Sequence, residues 1–107
     1  TEELFSALGI FIASLHQHGI YFRSLHLGNI VLTPDNRLGL IDLADLQKAS
    51  RALGKMKRLR NFQHLLRDKQ DRETLCLPAA AACFDHYCQE SSLGLNGGSL
   101  RKRLHLN

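Results

Sequence analysis

The spacing of apolar residues changes twice along this chain, which rules out a plain helical bundle and a plain sheet alike. From residue 2 to 17, Leu4, Phe5, Leu8, Phe11, Ile12 and Leu15 recur every three or four positions, and that period puts them on one face of an amphipathic helix. Glu2 and Glu3 suit the positive end of its dipole, and Gly19 supplies a stop. From Asn29 the period shortens. An apolar run Ile30-Val31-Leu32, a turn at Pro34-Asp35-Asn36 and a second run Leu38-Gly39-Leu40-Ile41 spell a short β-hairpin. Beyond Asp45 the helical period returns, with helices predicted near residues 52–66 and 71–90, the second broken or begun at Pro78. The expected class is α+β, mostly α, in the order helix, loop, hairpin, helices.

A chain of 107 residues holds one domain or a piece of one. With 44% hydrophobic and 22% charged residues it has the material for a packed core. The longest apolar stretches, Leu8 to Leu15 and Ala79 to Phe84, fall short of a membrane span, and no signal peptide begins at Thr1. A cytoplasmic setting is therefore expected. Cys76, Cys83 and Cys88 are odd in number and form no CxxC pair, so reduced and mostly buried thiols are expected rather than a disulfide framework. Zinc at Cys83, His86 and Cys88 is disfavoured, because Cys88 leaves the helix face shared by the other two and no fourth ligand is at hand. His16 and His18 fall at the end of the first helix, where imidazoles cap or pack. Residues 91–107 read as a loop and a flexible basic tail ending in Arg101-Lys102-Arg103, and the glycines between Gly94 and Gly98 open no convincing helix.

The net charge is +4, and nine of the fourteen Lys and Arg residues lie between Lys48 and Arg72. That segment reads first as a solvated face, then as a contact for an anionic substrate or a lipid surface. Nucleic acid ranks last, because aromatic residues are poorly interleaved with the charges.

Chemistry concentrates between Leu15 and Asp42. If Asn29 opens the first hairpin strand and Asp42 closes the second, the antiparallel return brings both side chains to one end of the ribbon. Two hard oxygen ligands suffice for Mg²⁺, which completes its octahedron with water and nucleotide phosphates. Phe22-Arg23-Ser24 is followed five residues after Ser24 by Asn29 and thirteen later by Asp42. This pattern resembles the protein-kinase-like superfamily, whose catalytic loop reads HRD, four residues, Asn, and then the Asp of a DFG-type metal loop. The run Leu25-His26-Leu27-Gly28-Asn29 is similar to the LHPGN variant of aminoglycoside and small-molecule kinases. Ile41-Asp42-Leu43 without a following Gly, and then a basic helix, resembles the lipopolysaccharide-core heptose and Kdo kinases and the toluene tolerance proteins. The likeness covers about residues 4 to 66.

The resemblance implies a kinase C-lobe that uses Mg²⁺ and ATP. Asn29 and Asp42 would bind the metal and the nucleotide, Arg23 would brace the catalytic loop, and His26 would stand near the transferred phosphate. The acceptor would be a lipopolysaccharide-core sugar or another anionic molecule, met at the inner membrane face through residues 48–72. Two departures matter. Ser24 occupies the place of the family's catalytic Asp, and a serine does not readily accept a proton at neutral pH. Base assistance is worth about 10²- to 10⁴-fold, whereas phosphoryl transfer depends mainly on positioning and charge neutralisation, so Ser24 leaves slow or altered transfer open. Asp45 reads as an exposed charge opening the next turn, with a substitute base or second metal ligand as the alternative. Only twenty residues precede Tyr21, too few for a Gly-rich loop, a strand lysine and its glutamate. An exposed core face where that N-lobe would sit favours self-association. Three functions stand in order: a phosphotransferase, intact or degenerate; a pseudokinase-like binding or scaffold module; a small basic nucleic-acid binder.

Overall fold

A computed structural model describes residues 1–42, 45–91 and 93–106. It is α+β and mostly helical, with five helices and two small antiparallel sheets among the described residues. Helix α1 spans Glu2–Gln17, close to its expected bounds, and the Thr1 hydroxyl caps it by accepting the Leu4 N–H at 3.1 Å. Its inner face of Leu8, Ile12, Ala13 and His16 packs along α4, Ala81–Glu90. Gly9 sets how closely the two approach, since a Cβ there would collide with the main chain of Cys83.

Strand β1, Ile20–Phe22, leaves α1 through Gly19 at φ 78, where a side chain would meet the carbonyls of Ala49 and Arg51. It pairs with β4, Leu46–Lys48, placing Tyr21 opposite Gln47 and Phe22 opposite Leu46. Between them lies the expected hairpin of β2, Ile30–Leu32, and β3, Leu38–Leu40, with Ile30 opposite Leu40. Asn36 takes the left-handed conformation of its turn at φ 65. Two-stranded ribbons of three residues a side are not stable in water alone, so these are held by what lies beneath them. Phe22 and Leu25 are buried in the core, and Ile30, Leu38, Leu40 and Leu46 rest against it.

Helices α2, Lys55–Leu65, and α3, Lys69–Leu75, follow, then a 3-10 turn at Pro78–Ala80 where the proline breaks the helical run as expected. The segment expected as loop and flexible tail is loop at residues 91 and 93–96 but folds beyond them. Gly97–Arg103 forms α5, capped by the Asn96 side chain accepting from Ser99 N–H at 2.8 Å, and Leu100, Leu104 and Leu106 are buried. Arg72 ties this end down by donating to the His105 carbonyl at 2.8 Å. All three cysteines are free thiols, but full burial is true only of Cys83, whose pKa is pushed up to about 12, mainly by desolvation. Among the described residues, no helix is long and apolar enough to cross a membrane.

Candidate functional site

The loop after β1 is built by local bonds. Leu25 N–H donates to the Phe22 carbonyl at 3.1 Å, turning the chain and dropping the Leu25 side chain into the core. His26 is extended and exposed, and its Nδ1 accepts the Gly28 N–H at 3.1 Å, capping a 3-10 turn over Leu27–Asn29. Asn29 therefore closes this turn rather than opening a strand. Its side-chain Nδ2 reaches back to the Ser24 carbonyl at 3.2 Å, so the loop is closed on itself. The Asn29 carbonyl then accepts from Ile41 N–H at 2.9 Å, one step beyond the last strand pair. This bond brings Asn29 and Asp42 to the same end of the hairpin. Asp42 is exposed and left-handed at φ 61. Leu43, the last residue of the Ile41-Asp42-Leu43 run, lies outside the described residues.

Three groups reach this loop from a distance, and the sequence offered only Asp45 among them, as an alternative base or metal ligand. The Ser24 hydroxyl donates to Asp45 Oδ2, while Asp45 Oδ1 is buried without a hydrogen bond among the described residues. Asp45 sits in a turn as expected, but as a half-buried partner of Ser24 rather than an exposed charge. From α3, Asp71 accepts the Leu27 N–H at 2.9 Å and is only 8% exposed; a carboxylate on a backbone amide is a strong, charge-assisted tie. From α2, Asn61 donates its amide N–H to the Phe22 carbonyl at 2.7 Å. Arg23 makes no hydrogen bond to the loop among the described residues, so the expected bracing by Arg23 falls instead to Asn29, Asn61 and Asp71.

Asn61 is the outer end of a buried network. With its N–H committed to Phe22, its Oδ1 accepts from His16 Nε2 at 2.8 Å, which leaves His16 Nδ1 to accept the Tyr87 hydroxyl at 2.6 Å. Arg58 donates to the same hydroxyl at 3.4 Å and to the Leu53 carbonyl at 2.7 Å. Burial holds the His16 pKa down to about 4; the Asn61 hydrogen bond opposes this and the Arg58 charge adds to it. His16 is therefore a neutral packing group, and capping is done by His18, whose Nδ1 meets the Ser14 carbonyl at 2.7 Å.

The donor set fits the implied cation in kind. Asn29 spends its Nδ2 on Ser24, and its Oδ1 has no hydrogen bond among the described residues. An amide oxygen and the Asp42 carboxylate are hard ligands of the sort magnesium takes singly or in pairs. Among the described residues, no three or more His, Cys, Asp or Glu side chains gather as a metal cluster. The one faint sequence signal for Asp71 was its place three residues after Asp68, which caps α3 by accepting its N–H; nothing local pointed to Leu27. Comparison with protein-family models, with curated proteins and with solved structures gives no match.

Proposed function

We propose that this chain is the catalytic-loop and metal-loop half of a kinase-like phosphotransferase that serves a sugar hydroxyl of the lipopolysaccharide-core class. One observation carries the reading: Asn29 grips the Ser24 carbonyl and extends the hairpin to Asp42, so these three functional positions share one end of one ribbon. Asn29 and Asp42 hold the cation through their side-chain oxygens. Bound Mg²⁺–ATP supplies the phosphoryl group and neutralises its charge. Ser24 and Asp45 replace the single family carboxylate with a relay, in which Ser24 Oγ takes the acceptor's hydroxyl proton as its own passes to Asp45. With Nδ1 accepting from Gly28, the His26 ring presents Nε2 as its donor, suited to a phosphate oxygen. An apolar hollow of about 250 Å³ among Leu4, Leu8, Leu27, Ile30, Leu32 and Leu38 flanks the hairpin and offers a surface to the nucleobase. Lys48, Arg51 and Lys55 are exposed on the segment that would face an anionic membrane.

A second reading, a pseudokinase-like module without catalysis, is favoured by Ser24 alone. Adding Mn²⁺ with ATP to the labelled protein separates the two by NMR. Paramagnetic broadening confined to amides near Asn29 and Asp42, and lost in Asp42→Ala, is expected; scattered or absent broadening sinks the phosphotransferase reading. Where broadening is found, Asp45→Ala removes the end of the relay and lowers phosphate transfer to a core oligosaccharide by about 10²- to 10⁴-fold. No loss would favour the binding module.

A further inference from the structure

Three cations converge on one hollow beside the loop. Tyr21 lies in β1 and Arg23 in the turn just past its end, and both line the hollow. Gln47 lies directly across the ribbon from Tyr21. On α2, Lys57, Arg60 and His64 are spaced three and four apart, which stacks them on one helix face. These six side chains line a cavity of about 260 Å³. The base of the cavity is fixed: the Tyr21 ring is 6% exposed and its hydroxyl bonds His64 Nε2 at 2.7 Å. The Lys57 ammonium sits 4.9 Å over that ring, a cation–π contact that holds it at the rim.

The cations at the rim lack counter-ions. Among the described residues, the one carboxylate within 4 Å of a Lys or Arg is Asp35, on Arg37 at the hairpin turn. Asp45, whose charge also reaches His64, gives Oδ2 to Ser24. Burial and then the charges of Arg67, Arg23 and Arg60 lower the His64 pKa and Asp45 opposes them, so cations outnumber the one acid acting on the hollow. Two guanidiniums and an ammonium around a small open hollow match the oxygens of a dianionic phosphate. The volume is at the small end for ligand sites and fits a phosphate with one sugar ring rather than a polymer. The buried Tyr21 offers no open face for base stacking, which argues against single-stranded nucleic acid.

From this placement we infer that Arg23, Lys57 and Arg60 form a receptor for a phosphomonoester, carried by the same acceptor whose hydroxyl meets Ser24. Arg23 is the hinge of the argument, since it lines the cavity and precedes Ser24 in the loop. The receptor stands on the cavity alone; its assignment to the acceptor rests on the phosphotransferase reading. That acceptor is then a sugar already phosphorylated at a position other than the one to be modified.

Inorganic phosphate, a hexose phosphate and the parent hexose, each titrated into the labelled full chain, test this by NMR. Both phosphates should give saturable shifts at the amides of Tyr21, Arg23, Gln47, Lys57 and Arg60, and the parent hexose none. Combining Lys57→Gln with Arg60→Gln, both exposed positions, should weaken the phosphates at least tenfold and leave the core amides of Ile12 and Phe84 unmoved. Shifts that fail to saturate, spread equally to Arg101, Lys102 and Arg103, or survive the double variant overturn the receptor. Saturable phosphate binding without manganese broadening at Asn29 and Asp42 would leave the receptor standing and remove its assignment to an acceptor. Broadening without phosphate binding would remove the receptor alone.

Discussion

In the helical base, Arg58, Asn61, His16 and Tyr87 are buried and hydrogen-bonded to one another; at the loop-and-hairpin face, Arg23, Ser24, His26 and Asp42 are exposed. The base closes its polar groups into a network under aromatic packing, with Phe62 edge-on to both Tyr87 and His16 at centroid distances of 4.8 and 5.9 Å. The face has three-residue strands and few bonds beyond its own turns. Its shape is borrowed through three ties: Leu25 in the core, Asn61 on the Phe22 carbonyl and Asp71 on the Leu27 amide. Rigidity and chemistry are thus separated, with stability in one region and uncommitted polar groups in the other.

That division predicts unequal costs. Tyr87→Ala removes a fully buried ring and a shared hydroxyl and should lower the unfolding free energy by about 4 kcal/mol. Val31→Ala, half-buried in the hairpin, should cost about 1 kcal/mol or less. Urea denaturation measures both, and equal losses would break the comparison.

Acid should also strike the base before the face. The His16 pKa is about 4 folded against 6.5 unfolded, so below pH 6.5 the unfolded chain takes up a proton that the folded one refuses. The stabilisation is complete above pH 6.5 and is lost as pH falls towards 4, by up to about 3 kcal/mol at roughly 1.4 kcal/mol per unit. His64, lowered by burial and by Arg67, Arg23 and Arg60, pulls the same way. Ring-resolved NMR titration beside stability curves divides the effect; a His16 ring that titrates near 6.5 would mean that the network is open. An intermediate effect belongs to a tie. Asp71→Asn weakens a charge-assisted bond and should cost about 1.5 kcal/mol, with hydrogen exchange at Leu27 accelerating more than in α1. Uniform acceleration would show that face and base open as one.

What the sequence could announce follows the same division in part. The spacing of Leu4, Leu8, Ile12 and Leu15 sufficed for α1, and turn chemistry at Pro34 to Asn36 sufficed for the hairpin, because both signals are local. The β1–β4 pair escaped because three residues carry no periodicity and the partners are separated by the whole loop and hairpin. Helix α5 was hidden by Gly97 and Gly98, which are poor helix formers; the Asn96 cap and the four-residue spacing of Leu100 and Leu104 were the available signals. At the site, Arg23, Ser24, His26, Asn29 and Asp42 stood out through spacing; Asp45 was offered only as an alternative, and Asn61 and Asp71 not at all. Their roles depend on helices and strands meeting across 21 to 44 residues, and no local pattern encodes such a meeting.

The packing of α1 on α4 also sets an order of events during synthesis. Ala81 follows Gln17 by 64 residues, so at 5 to 20 residues per second a ribosome needs roughly 3 to 13 s to deliver the partner of α1. Until then the apolar stripe of Leu8 and Ile12 has no α4 to cover it, and His16 has no Tyr87. The loop emerges early and is fixed late, which makes the nascent chain a natural client for a holding chaperone at the tunnel exit.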